Sequence, residues 1–232
     1  MPPALQLTAL SKDYHGLRPL RMRGLVVAEG EIVALSGLDA AAAEVLTNLV
    51  TGATLPDEGS VRVFGEETAA VADADAWLAG LDRFGIVSDR VALLETFTIR
   101  QNIAIPLTLE LDPLTEEVAA IVSALATEVG LRPDALDVAA GLAPPPTRFR
   151  VRVARAVATR PRLLLVEHPT GAIPRAEVRS AAADFFRLVR TRGVTAVIAS
   201  SDGDFTAAAD RHLDLDPATG VLRRRGLRGW FS

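Results

Sequence analysis

Two short stretches carry residue types that could do chemistry. In the first, the strand-like Glu31-Ile32-Val33-Ala34-Leu35 runs into Ser36-Gly37-Leu38-Asp39-Ala40-Ala41-Ala42-Ala43-Glu44-Val45. A glycine-rich turn between a buried strand and a helix can converge backbone amides on phosphate, with a lysine over the outer phosphates and a Ser or Thr hydroxyl on magnesium. Ala43 stands where that lysine belongs and Glu44 where the hydroxyl belongs; the single lysine, Lys12, lies 31 positions before Ala43. In the second, Glu167 and His168 follow the apolar run Leu163-Leu164-Leu165-Val166. An imidazole with an ordinary pKa near about 6.5 can accept a proton. Adjacent strand residues point to opposite faces, however, and no Ser or Lys nucleophile accompanies the pair, so His168 is expected to be a hydrogen-bonded histidine under a loop.

Elements able to position these stretches are legible around them. Leu5 to Leu10, Leu25 to Val27 and Glu31 to Ser36 are strand-like, and a helix is expected from about Ala40 to Val50 with Gly52 beyond it. Thr54-Leu55-Pro56-Asp57-Glu58-Gly59 is a turn before a strand from Ser60 to Phe64; a short helix over Asp73 to Leu81 precedes a strand around Gly85-Ile86-Val87. From Thr98 to about Leu142 the texture turns helical. Thr115-Glu116-Glu117 opens a long helix with Val118, Val122, Leu125 and Val129 on one stripe, and Pro133 starts a further turn or two. After Pro144-Pro145-Pro146 come a helix from Arg148 to Thr159, a strand from Arg162 to Val166, a helix from Arg175 to Arg192, a strand from Thr195 to Ala199, a short helix near Phe205 to Ala209, and strands near His212 to Leu215 and Gly220 to Arg223. Apolar strands alternating with helices predict a mainly parallel sheet covered on both faces.

Composition removes several classes of function. The chain has no cysteine, which excludes disulfides, thiolate zinc sites and a cysteine nucleophile. A formal charge of -4 offers no broad attraction for nucleic acid, and the Arg223-Arg224-Arg225 and Arg228 cluster is expected to be a solvated tail. No run approaches the roughly 20 apolar residues of a membrane span, so any membrane role is expected to be peripheral, on the cytoplasmic face and through a partner.

In order and spacing, these segments resemble the nucleotide-binding domain of an ATP-binding cassette (ABC) transporter, most closely the lipoprotein-release and MacB-type exporter branch. The resemblance rests on Leu10-Ser11-Lys12-Asp13-Tyr14, on Gly30 to Leu35, on Leu93-Leu94 to Asn102, on Arg150 to Val157, on Pro161 to Gly171 and on Ala209-Asp210-Arg211. It implies a P-loop NTPase-like α/β core over 1–97 and 143–232, an antiparallel amino-terminal β part and a helical subdomain over 98–142.

What the resemblance implies for single residues is a site that has lost its chemistry. Tyr14 matches the tyrosine that stacks on adenine, and Gly37 matches the first glycine of the phosphate loop. The later glycines fall on Ala40 and Ala42, the lysine on Ala43 and the magnesium hydroxyl on Glu44. Asp39 and Glu44 then put negative charge beside an anionic ligand: like charges a few ångström apart cost about 1–4 kcal/mol, more than the roughly 0.3–1 kcal/mol a helix dipole offers an anion. The glutamine that senses magnesium and the transport subunit falls on Asp89, and the signature segment on Ala143-Pro144-Pro145-Pro146-Thr147, where proline removes amide donors. The magnesium-orienting aspartate falls on Glu167, the water-polarising glutamate on His168, the dimer-contact aspartate on Pro174 and the switch histidine on Ser201.

The family's ligands are ATP and Mg2+; neither is expected here, nor any other metal or cofactor. The expected function is a non-catalytic (pseudo-ATPase) subunit with a structural or coupling role beside an integral-membrane permease, paired with a second cassette subunit or with itself. A soluble protein-binding scaffold and a weakly ATP-binding transporter ATPase are the alternatives. Phe97, Ile99 and Ile103 are candidate partner contacts, with ordinary core packing as the competing reading.

Overall fold

Strand and helix faces sort the apolar residues into two cores on either side of one sheet. The computed structural model describes residues 2–71 and 73–225. Its elements are β1 (Leu5–Lys12), β2 (Leu20–Val27), β3 (Ile32–Ser36), α1 (Ala40–Val50), β4 (Glu58–Val63), β5 (Glu66–Glu67), α2 (Ala74–Gly80), β6 (Phe84–Val87), α3 (Ile99–Ala104), α4 (Glu116–Glu128), α5 (Pro145–Ala158), β7 (Leu163–Glu167), α6 (Arg175–Arg192), β8 (Thr195–Ala199), α7 (Gly203–Thr206), β9 (Arg211–Asp216) and β10 (Val221–Arg224). The main sheet has the order β10-β9-β3-β8-β7-β6, parallel from β9 to β6 with β10 antiparallel at its edge; β2-β1-β4-β5 form a separate antiparallel sheet.

Every residue of β7 and β8 is buried, as strands covered on both faces require. Because side chains alternate across a strand, Leu163 and Leu165 enter the core shared with α1 and the antiparallel sheet, whereas Leu164 and Val166 enter the core shared with α3 to α6. The helical segment therefore grows out of the same apolar core as one face of the sheet. Four aromatic rings, Phe149, Phe185, Phe186 and Phe205, meet there with centroids 5.4–6.3 Å apart.

Local signals fix the ends. Thr98 and Gln101 form a reciprocal capping box at the start of α3, Thr115 caps α4, and α6 stops at Gly193 with φ of 63°. Two expectations shift. The strand expected from Leu25 to Val27 begins at Leu20, with Leu20 and Met22 buried between exposed arginines. The helix expected from Arg148 starts three residues earlier, because Pro145 and Pro146 fall in the first turn, where a missing amide hydrogen costs nothing. The arginine cluster expected to be a solvated tail has exposed side chains at Arg223, Arg224 and Arg225, but its backbone is held: Arg223 and Arg224 lie in β10 and the Arg225 amide donates to the His212 carbonyl, while Arg228 lies outside the described residues.

Candidate functional site

The carboxyl ends of β3, β6 and β7 converge, and the loops leaving them carry Asp39, Glu44, Ser88 to Arg90, Glu167 and His168, as expected of a parallel sheet's ligand crevice. At β3, Gly37 has φ of 85°, and a Cβ there would strike the Leu215 carbonyl. Its glycine is therefore required by the fold whatever the loop holds. Helix α1 begins at Ala40, so the turn that would curl around a phosphate is already helical. Alanine favours this by about 1 kcal/mol per residue over glycine. The Asp39 carboxylate accepts from the Ala42 amide at 2.7 Å and caps the helix, filling the amide end with an anion from the chain itself. Ala43 is 1% exposed and belongs to the core around α1.

Arg90, which the sequence reading did not single out, organises the rest. It donates to Glu167 through Nε at 3.0 Å and Nη2 at 2.7 Å, and through Nη1 to Glu44 at 3.1 Å. The Ser88 hydroxyl donates to the same Glu167 carboxylate at 2.7 Å. The Glu167 side chain is 6% exposed, whereas Arg90 and Glu44 are 40% and 43% exposed, so the ion pair runs from the interior to the rim. Burial pushes the Glu167 carboxyl up, but bonds from Arg90, Thr47 and Ser88, with the charge of Arg90, outweigh it and hold the group below the ordinary carboxylate range. The expected repulsion is eased and not removed: Glu44 and Glu167 share one Arg90 and Asp39 caps the helix end, so the site is filled by the chain's own groups and keeps a net negative charge. A signal was available in the sequence, since carboxylates clustered at a crevice need cations, and Arg90 directly follows Asp89.

Asp89 pairs with Arg152 of α5 at 2.7 Å and does not face Glu167 through any bond. His168 has φ of 42° and its amide donates to Ala199, while its Nε2 is buried without a partner, so the expectation of a fully hydrogen-bonded histidine fails at that atom. No bond joins Glu167 to His168 among the described residues, because Arg90 and Ser88 take the carboxylate. Ser201 is exposed, and beside it Asp202 accepts from Arg175 at 2.8 Å and caps α7. Around the first loop, half-buried Tyr14 lines a cavity of about 320 Å³ with Arg18, Arg21, Gly37, Asp39 and Pro217. Burial and then the Asp39 charge raise its phenol pKa. Of the candidate contacts, Ile99 and Ile103 are both 0% exposed and sit in the core, in line with the competing reading of core packing for these two; Phe97 is half-buried. The exposed apolar side chains nearby are Leu94, Val138 and Leu142.

A sequence profile of the ABC transporter family matches residues 21–171, which span α1, the helical segment, β7 and Glu167. The chain belongs to the ABC transporter family. It is similar to the lipoprotein-releasing system ATP-binding protein LolD of Alcanivorax borkumensis, 30% identical over 226 residues that cover 96% of this chain and 97% of that protein. LolD of Anaeromyxobacter dehalogenans is 31% identical over 247 residues, covering 97% of each. Among solved structures, cbiO1 from Clostridium perfringens, part of the transporter complex cbiONQ, superposes with a TM-score of 0.81 at 17% identity, over 96% of this chain and 88% of that one. The bacterial ABC transporter cassette MJ0796 gives 0.78 at 22% identity, over 97% of this chain and 100% of that one. These structures support the ABC fold, with its parallel and antiparallel sheets and helical segment. As a member of this family the chain is a cassette subunit of a transport system. Among its described residues no helix is long and apolar enough to cross a membrane.

Proposed function

We propose that this chain is a non-hydrolysing ABC subunit that takes a structural or coupling role beside an integral-membrane permease, on the cytoplasmic face, paired with a second cassette subunit or with its own copy. The observation that carries this reading is the Arg90 bridge: of the positions that the family resemblance gives to magnesium, Glu44 and Glu167 share the guanidinium of Arg90, and Asp89 pairs with Arg152. A magnesium nucleotide does not fit these residues. The ion would have to displace a guanidinium from a buried carboxylate, and the phosphates would meet Asp39 at the helix end in place of free amides. Phosphoryl transfer depends on positioning and electrostatics, so losing lysine, metal hydroxyl, water-polarising carboxylate and switch histidine together removes several factors of about 10²-fold or more. The helical segment over 98–142 and the loop leading into it are the parts that would meet the permease, with Leu94 and Phe97 of the loop and Leu142 of the segment as apolar contacts.

Calorimetric titration with magnesium-ATP tests the reading: the expected dissociation constant is no tighter than about millimolar, and micromolar binding or turnover would overturn it. The cavity beside Tyr14 favours one second reading, a cassette that holds the nucleoside end of ATP weakly without hydrolysing it.

A further inference from the structure

The loop from Ser88 to Thr98, which joins β6 to α3, is bound along its length by arginines. Arg90 ties it to β7 through Glu167 and to α1 through Glu44. From the other side, Arg152 pairs with Asp89 at 2.7 Å, Arg155 donates to the Ala92 carbonyl at 2.8 Å, and Arg148 donates to Glu95 at 3.1 Å. Positions 148, 152 and 155 are spaced i, i+4, i+7, so α5 presents one arginine face to the loop. Asn102 of α3 closes the remaining turn, accepting from the Leu94 amide at 2.9 Å and donating to the Leu94 carbonyl at 3.0 Å while itself 0% exposed.

We infer that Arg90 is a built-in counter-ion that holds the β6–α3 loop against β7 and α1, so that the position of the helical segment is set by the chain itself and not by a bound magnesium nucleotide. This rests on the reading of the chain as a non-hydrolysing subunit, and it adds what replaces the ligand. A guanidinium presents its donors in a fixed planar fork, so one side chain can span two carboxylates on different elements, as a metal ion would. Unlike a metal, it is covalently part of the loop it fastens and does not dissociate when nucleotide is spent. The loop amides are correspondingly engaged: Arg90 with the Ser88 hydroxyl, Val91 with the Ser88 carbonyl, Phe97 with the Leu94 carbonyl.

Amide hydrogen exchange over residues 88–98 of the full chain, with and without magnesium-ATP, tests the inference. The wild type should exchange slowly there and be unchanged by magnesium-ATP. Arg90→Ala should speed exchange in that segment about tenfold or more while β8 stays protected. Arg90→Lys, whose ammonium keeps the charge but lacks the planar fork, should fall between the two and carries the test if the alanine variant does not fold. Equal exchange in the wild type and either variant, or slowing of the wild-type loop by magnesium-ATP, would overturn the inference. ATP turnover measured on the same wild-type sample separates the two readings: turnover refutes the non-hydrolysing subunit and leaves the clamp to the variant comparison, whereas equal exchange refutes the clamp alone.

Discussion

Replacing Glu167 by glutamine keeps the shape of the side chain and removes its charge, which isolates the electrostatic part of the site. The carboxylate accepts two bonds from Arg90, at 3.0 and 2.7 Å, and one from Ser88 at 2.7 Å. Each charge-assisted bond is worth about 1.5–3 kcal/mol. In Glu167→Gln one acceptor oxygen becomes an NH2 group, which cannot accept from the guanidinium, and the remaining bonds lose the negative charge of the acceptor. Breaking a wholly buried pair would cost about 3–5 kcal/mol. Arg90 is 40% exposed and keeps Glu44, so the penalty should be nearer 2–3 kcal/mol at neutral pH, on the order of the bonds lost. For a domain of this size that lowers Tm by about 4–12 °C. The native carboxyl titrates below the unfolded value of about 4.3, so the wild-type advantage is complete above roughly pH 5 to 6 and is lost as pH falls through the native pKa; glutamine does not titrate. Urea unfolding followed by circular dichroism should therefore show the two proteins converging as the pH is lowered from about 7 to about 3.5. A penalty below about 0.5 kcal/mol at neutral pH, or one that does not shrink on acidification, would refute the claim that Arg90 and Glu167 form a stabilising ion pair.

Restoring the lysine alone, Ala43→Lys, should give no turnover above a no-enzyme blank, because Glu44, His168 and Ser201 remain. Since Ala43 is 1% exposed, the variant should also lose about 2–4 kcal/mol from overpacking and a buried ammonium, read by urea denaturation. At the proposed permease contact, Leu142→Asp changes an 81% exposed side chain, should leave stability within about 0.5 kcal/mol, and should release the protein from the membrane fraction of its native cells. Ile103→Asp is the control: a carboxylate at a wholly buried position should abolish the folded circular dichroism signal, and retained folding would show that the residue is not core.

The sequence by itself determined the order and type of almost every element, because hydrophobic periodicity, caps and turn residues act over a few neighbours. The α6 and β8 boundaries fell where expected, as did α1 and the cap of α4 at Thr115. The family resemblance pointed to Gly37, Glu44, Asp89 and Glu167, which lie just after β3, in α1, on the loop after β6 and at the end of β7. Tertiary structure decided which charges meet. Arg90 is 46 positions from Glu44 and 77 from Glu167, and no local pattern pairs it with both. Only the parallel register of β6 on β7 brings Val87 beside Val166 and so the loop that follows beside Glu167. Burial of Ile99 and Ile103 was likewise undecided in sequence, because an apolar residue on a short helix suits a core or a contact equally; the packing of α3 against α4 and α5 turned both inward.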